Sequence, residues 1–254
     1  KISINIISLI QKYKLSLLIK EESGQFKKNY MLDNKKISLR SIKNYISFIW
    51  LTPYMDKIMY EGQTLKRNFI DKMIAQNDRF FNKIILQNKK DMAERLQVLQ
   101  NSNDEKWLSL LEKKIASNIF EIFVIRRKYA EELNNIILSK LTNFSYINIE
   151  YKNNLFNNLS DKCSSVSLFM EELKKKRQLD TITKRSNFGI NTDDIIFFDK
   201  KNNINTNFCS TGEQKSSLLT LILANCWKLK LNNKDFILLL DEATSHIDDK
   251  NFKN

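Results

Sequence analysis

Apolar and polar positions alternate, or run in short β-type stretches, over residues 3–9, 14–20 and 26–32, which is the spacing of strands. Glu22-Ser23-Gly24 and Asp33-Asn34 supply turns between them, so a small meander is predicted. Ser38 to Ile46 has helical spacing behind a serine cap, and Ser47 to Leu51 reads as a buried strand that stops at Pro53. From about Gln63 to Thr142 the period changes to that of long helices with almost no breakers. Phe81, Ile85, Met92, Leu96 and Leu99 form one three-and-four seam. Leu108, Leu111, Ile115, Ile119, Ile122, Tyr129 and Leu133 form another, after the polar turn Asn101 to Lys106. This predicts an antiparallel helical hairpin. Tyr146 to Tyr151 reads as an edge strand, Asp161 to Leu179 as a basic helix, and Asp194 to Phe198 as a strand that returns the chain to the first core. The expected organisation is therefore a discontinuous α/β core, residues 1–62 and 146–254, split by a helical arm over 63–145.

Composition narrows the chemistry. With 254 residues the chain can bury one or two ordinary cores. Its longest apolar runs, such as Phe236 to Leu240, fall far short of the roughly 20 residues of a membrane helix, and no signal-like segment opens the chain, so a cytoplasmic protein is expected. Cys163, Cys209 and Cys226 lack CxxC spacing, which argues against a zinc knuckle or redox motif and for free thiols. His246 is the single histidine, so histidine metal sites and catalytic triads are disfavoured. A net charge of +13 suits a polyanion. The same skew towards Lys, Asn and Ile, with 4 Gly and 1 Pro, is also what an AT-rich genome imposes.

Two segments carry more specific chemistry. Asp235-Phe-Ile-Leu-Leu-Leu-Asp-Glu242 is an apolar run ending in two carboxylates, as in a central parallel strand whose carboxyl end opens on a nucleotide. Asp241 would hold the Mg²⁺ shell and Glu242 would polarise the attacking water. Upstream, Ser210-Thr211-Gly212-Glu213-Gln214-Lys215 precedes an apolar helical run. Ser210 can cap a helix and donate to phosphate, Gly212 allows close backbone approach, and the helix start favours an anion. Alone, this segment reads first as a plain capping box with Glu213 at its third position. Ser245-His246-Ile-Asp248 follows at D-loop spacing. The order and separation of the three segments are those of the signature, Walker B and D-loop of an ABC-type ATPase head. No pair of the four glycines has the spacing of a GxxxxGK[ST] loop, so the 254 residues hold no Walker A motif. The opening residue is Lys1, as expected of a piece of a longer protein.

Among ABC-type heads, the chain resembles the RecF family of bacterial DNA replication and repair proteins from about residue 40 to its end. STGEQK stands at the signature and FILLLDEATSHID at Walker B. Leu51-Thr-Pro-Tyr-Met-Asp56, Glu61-Gly62 and Lys66-Arg67-Asn-Phe-Ile-Asp71 resemble the family's TP…D…G…RRxFLD stretch. The resemblance implies an ABC/SMC-like head that sandwiches ATP between two subunits and clamps DNA. It also implies recombinase loading at gaps with RecO and RecR, recombinational repair and the SOS response. It assigns Ser210, Thr211, Gly212, Glu213 and Gln214 to ATP in trans, Asp241 to Mg²⁺, Glu242 to water, and Ser245, His246 and Asp248 to the dimer interface. Lys66, Arg67, Arg126, Arg127 and Lys128, on or beside the long helices, are the expected DNA contacts. Three departures stand out: the missing Walker A loop, Gly189-Ile-Asn-Thr-Asp-Asp194 in place of a GPHRxD-like run, and Tyr54 after Thr-Pro. Two other classes remain open, a DNA-contacting arm on an inactive half-head and a purely structural SMC-type hairpin.

Overall fold

The computed structural model describes residues 2–7, 12–22, 24–42, 45–101, 104–153 and 162–241. These fall into two compact units, one of residues up to Trp50 with Leu229–Leu239, the other of Leu51–Lys228 with 240 and 241.

In the first unit β1 (Ile2–Ile7), β2 (Lys12–Glu22), β3 (Gln25–Leu32) and β4 (Lys35–Ile37) form an antiparallel sheet in that order. The expected meander is present, and its turns have the expected chemistry. Gly24 sits at φ 75°, a conformation that costs glycine little. Asp33 and Asn34 take φ 46° and 67°, the paired left-handed geometry of a two-residue hairpin turn. Asp33 Oδ1 also accepts the Lys14 N–H at 2.7 Å and so fixes the register. A short helix, α1 (Leu39–Ile42), starts where Ser38 Oγ accepts the Ser41 N–H at 3.0 Å. The next strand, β5 (Ser47–Leu51), pairs with the last one, β9 (Phe236–Leu240). Ser47 N donates to the Asp235 carbonyl and Asp241 N to the Leu51 carbonyl, each at 2.9 Å. The numbers rise together along both strands, so the pair is parallel.

In the second unit a one-turn helix over Pro53–Asp56 leads into α2 (Lys57–Tyr60), α3 (Gln63–Asn77), α4 (Arg79–Asn101) and α5 (Glu105–Lys140). With 36 residues, α5 is about 54 Å long at the usual helical rise. Asp104 caps it by accepting the Trp107 N–H at 3.0 Å. Every predicted apolar position of α5, from Leu108 to Leu133, is buried. On α4 the buried face is Phe81, Ile84, Asn88, Asp91, Arg95 and Leu99, while Ile85, Met92 and Leu96 are half-buried. The seam is rotated by about one residue because ionic partners, not apolar ones, meet its middle turns.

A second antiparallel sheet follows, with β7 (Asp194–Asp199) between β6 (Ile147–Lys152) and β8 (Ile204–Asn205). β6 is an edge strand, as expected. β7, expected to rejoin the first core, instead ladders with β6 and β8. Between β6 and β7 lies α6 (Lys162–Thr183), and after a short 3-10 turn at Thr206–Phe208 comes α7 (Thr211–Leu231). Leu218, Leu221, Ile222, Ala224 and Leu229 of α7 are fully buried, so this helix is core.

Candidate nucleotide-binding site

The signature segment starts α7, and its local geometry follows from the Ser-x-x-Glu spacing. Ser210 N and Ser210 Oγ both donate to Glu213 Oε2 at 2.8 Å, and Glu213 N reaches back to Ser210 Oγ at 3.4 Å. That is a reciprocal capping box. The two Ser210 donors hold the Glu213 carboxyl below the usual glutamate range, helped by Asn202 Nδ2, which donates to Oε1 at 3.0 Å. Asn202 is itself placed by Asp199, whose carboxylate accepts the N–H groups of Lys201 and Asn202. Gln214 turns inward and donates to the Thr206 carbonyl at 2.9 Å, locking the preceding turn to the helix. Ser210, Thr211 and Glu213 are exposed, and a Cβ placed on Gly212 would meet nothing within 4 Å. A ligand can therefore approach this backbone closely. Such an exposed helix start, with a serine hydroxyl and open backbone, suits an anionic phosphate.

At the other segment, Asp241 stands exposed at the carboxyl end of the parallel β5–β9 pair, beside Leu51 and the Thr52-Pro53 turn. Parallel strands place ligands at this end. One accessible carboxylate suits Mg²⁺, which takes one or two carboxylates and completes its shell with phosphate and water. Among the described residues no cluster of three His, Cys, Asp or Glu forms a self-sufficient metal cage. Glu242, Ser245, His246 and Asp248 lie outside the described residues. Tyr54, at the position after Thr-Pro, is exposed.

The five cations expected to meet DNA divide sharply. Arg126 is 1% exposed. Its Nε and one terminal nitrogen form a two-pronged pair with Asp71 at 2.8 Å each, and the other nitrogen donates to Asp193 Oδ2 at 2.9 Å and the Ile190 carbonyl at 2.7 Å. Burial disfavours its charge, but Asp71, Tyr151 and Asp193 together raise its pKa above the ordinary arginine value. Arg67 is also buried and donates to the Asp193 carbonyl at 2.6 Å and Thr64 Oγ1 at 3.2 Å. Lys66 is 1% exposed, donates to Asn207 Oδ1 at 2.8 Å and lies 5.6 Å over the Phe197 ring. Burial lowers its pKa, against the raising influence of Asp194. The placement of Lys66, Arg67 and Arg126 thus corrects the expectation of a phosphate-facing row: their donors are committed inside the fold. Arg127 and Lys128 are exposed, with Arg127 paired to Glu131 at 3.1 Å.

Sequence reading also missed Asp193. In the Gly189–Asp194 run it is this residue, not the family-matching Asp194, that is buried, where Tyr151 Oη and Asn153 Nδ2 donate to its carboxylate. The only available signal was the doubled Asp before a strand.

No family model matches the chain. It is 31% identical over 221 residues to the DNA replication and repair protein RecF of Rickettsia canadensis (strain McKiel), covering 86% of this chain and 61% of that protein. RecF of Rickettsia conorii (strain ATCC VR-613 / Malish 7) gives the same values. The chain thus spans about three fifths of the length of these curated relatives. Among solved structures, the recombination mediator protein RecF-ATP in the RecFOR pathway matches with a TM-score of 0.75 and 20% identity, over 95% of this chain and 66% of that one. RecF-ATPrS in the same pathway gives 0.73 and 20%, over 94% and 66%. The described fold is accordingly the mixed α/β fold of these structures, consistent with an ABC/SMC-like head. In sequence the chain is thus similar to RecF over the part of that protein's length that it spans, and its fold is that of the solved RecF structures.

Proposed function

We propose that this chain supplies the signature and Walker B half of a RecF-type ATPase that binds DNA in an ATP-dependent way as a homodimer, in DNA replication and recombinational repair. The observation that carries the reading is the exposed, open start of α7 at Ser210–Gly212, on a RecF-like fold whose parallel β5–β9 pair ends at Asp241. Bound ATP would supply the phosphoanhydride to be cleaved, and Mg²⁺ would neutralise phosphate charge. Ser210, Thr211 and Gly212 would hold the γ-phosphate of the partner subunit's nucleotide, through the serine hydroxyl and the open backbone of the helix start. For this, the Ser210 donors must leave Glu213, so the phosphate replaces a carboxylate already held at the helix start. Gln214 keeps the preceding turn in place. Asp241 would hold Mg²⁺, Glu242 would polarise the attacking water, and Ser245, His246 and Asp248 would serve the dimer interface. Recombinase loading with RecO and RecR, a part in the SOS response and a cytoplasmic location follow from the family as proposals.

The test joins this chain to a RecF phosphate-binding segment that supplies GxxxxGK[ST]. Glu242→Gln should slow ATP turnover about a hundredfold while nucleotide binding persists. Ser210→Arg should abolish ATP-dependent dimerisation in sedimentation, because a bulky cation fills the phosphate position. Unaltered turnover with Gln at 242 and an unaltered dimer with Arg at 210 would remove the catalytic reading.

A further inference from the structure

The ladder of the N-terminal sheet sorts its side chains by face. In an antiparallel pair, residues directly opposite each other share a face and alternate along each strand. Lys20 lies opposite Lys27, Leu18 opposite Asn29 and Ser16 opposite Met31, which in turn lies opposite Lys36. Lys14 stands at the same parity two residues before Ser16. Over residues 14–21 and 24–37, one face therefore carries Lys14, Lys20, Lys27 and Lys36, all exposed. The carboxylate beside it, Asp33, is turned onto the Lys14 backbone N–H. The opposite face carries Leu15, Leu17, Ile19, Phe26, Tyr30, Leu32 and Ile37, with Glu21 among Lys28 and Lys35. One face thus carries four exposed lysines around buried Ser16 and half-buried Leu18, Asn29 and Met31, and the other is apolar with mixed charge.

Folding alone does not ask for this. Like charges directly opposite each other across a ladder are destabilising, yet Lys20 faces Lys27. Compositional enrichment in lysine would raise both faces alike. The four ammonium groups span about 20 Å along β2, from Lys14 to Lys20 at the usual strand rise, and two inter-strand steps across. A duplex carries one charge per roughly 1.7 Å of axis, so a face of that length lies against several phosphates.

We propose that the Lys14, Lys20, Lys27 and Lys36 face of this sheet binds the phosphate backbone of duplex DNA without reading its bases. The inference rests on the DNA-binding reading above and assigns its contact surface. Four lysine–phosphate contacts predict a slope of log affinity against log salt of about −3.6 from this face alone.

The experiment measures binding of the full chain to 30-base-pair duplexes of two unrelated sequences by fluorescence anisotropy between 50 and 200 mM salt. Lys20→Gln with Lys27→Gln is compared with Lys28→Gln with Lys35→Gln, two doubles of equal charge change on opposite faces. The first double should make the slope shallower by about two units, equally for both duplexes, and the second by less than half a unit. Removing the Lys20–Lys27 repulsion should leave the thermal midpoint unchanged or higher, so the variant stays folded. Equal shifts from the two doubles would mean that total charge, not this face, binds DNA, and would overturn the assignment. So would an unchanged slope in the first double. Failure of the unaltered chain to bind either duplex at 50 mM salt would instead overturn the DNA-binding reading itself, and this inference with it.

Discussion

In the helical unit the guanidinium of Arg95 is fully buried and donates to Glu112 at 3.0 Å, Asp180 at 2.6 Å and the Leu173 carbonyl at 2.6 Å. On the N-terminal sheet Lys20 is exposed and looks across its ladder at another lysine. The two cations differ in what surrounds them rather than in charge. Arg95 joins α4, α5 and α6 through carboxylates, and Arg177 closes the cluster with a two-pronged pair to Glu112 and further bonds to Glu105. Planar guanidinium groups suit such interior forks, whereas ammonium groups on flexible stems suit solvent and phosphate. Arg67, Arg95 and Arg126 lie in the interior, whereas Lys14, Lys20, Lys27, Lys28, Lys35 and Lys36 of the N-terminal sheet are exposed. Lys66 is the exception on the lysine side.

The largest effect expected from this contrast is the loss of Arg95. Arg95→Leu would leave Asp180 without its cation in a fully buried site while Glu112 keeps Arg177, at a cost of about 3–5 kcal/mol. Urea unfolding of the chain measures it. A cost under about 1 kcal/mol would mean that water reaches the cluster and that the buried-versus-exposed division is overdrawn. Arg126→Met should cost somewhat less, about 2–4 kcal/mol, because Asp71 is partly exposed and Asp193 keeps Tyr151 and Asn153 as donors. Equal or greater loss than at Arg95 would reverse that order.

Legibility in the sequence followed the same physics. All seven predicted seam residues of α5 are buried, because apolar partners fill that interface and periodicity reports apolar burial directly. On α4 only Phe81 and Leu99 of the predicted seam are buried, since Asn88, Asp91 and Arg95 occupy its middle and a hydrophobic pattern is blind to buried ions. Turn chemistry at Gly24 and Asp33-Asn34 was readable because left-handed backbone selects few residue types. The signature capping box was readable for a similar reason: its spacing is local. Whether Lys66 or Lys20 would be buried depended on carboxylates and carbonyls far away in sequence, such as Asp193 against Arg67 and Arg126. A run of adjacent cations such as Arg126-Arg127-Lys128 wraps around its helix, so one member faces in and two face out.

Lys66 tests the exception. Burial lowers its pKa, so over a range below the ordinary lysine value the unfolded chain holds this proton more firmly than the folded chain does. Its contribution to stability is therefore fully present above that ordinary value and is lost as the pH falls through the lowered folded pKa. At neutral pH, Lys66→Met should change stability by no more than about 1 kcal/mol, because relief of the buried charge offsets the bond lost to Asn207. As pH rises into the lysine range, the unaltered chain should gain stability relative to the variant. Paired urea titrations at pH 7 and in the alkaline range check both signs. A gain by the variant on alkalinisation would show that Asp194, not burial, dominates the Lys66 environment.

The smallest effect on folding is expected at Arg127 and Lys128. Arg127 meets Glu131 one turn along α5, with both side chains 61% exposed, and an exposed pair of this kind contributes a few tenths of a kcal/mol. Arg127→Gln with Lys128→Gln should thus stay within about 0.5 kcal/mol of the unaltered chain in urea. Arg126 must be kept, since replacing it alongside them would convert a binding test into an unfolding test. If both exposed cations touch phosphate, the salt slope for duplex binding becomes shallower by about two units, as for the Lys20 and Lys27 double. If only the sheet double moves the slope, α5 contributes no phosphate contact through these residues and the basic sheet face carries the interaction. If only the helix double moves it, the contrast between unit interiors and the sheet face still describes folding but no longer predicts where DNA lies. Measuring the four-residue combination decides between independent and shared contacts. Additive shifts of about four units would mean that both surfaces touch the duplex at once.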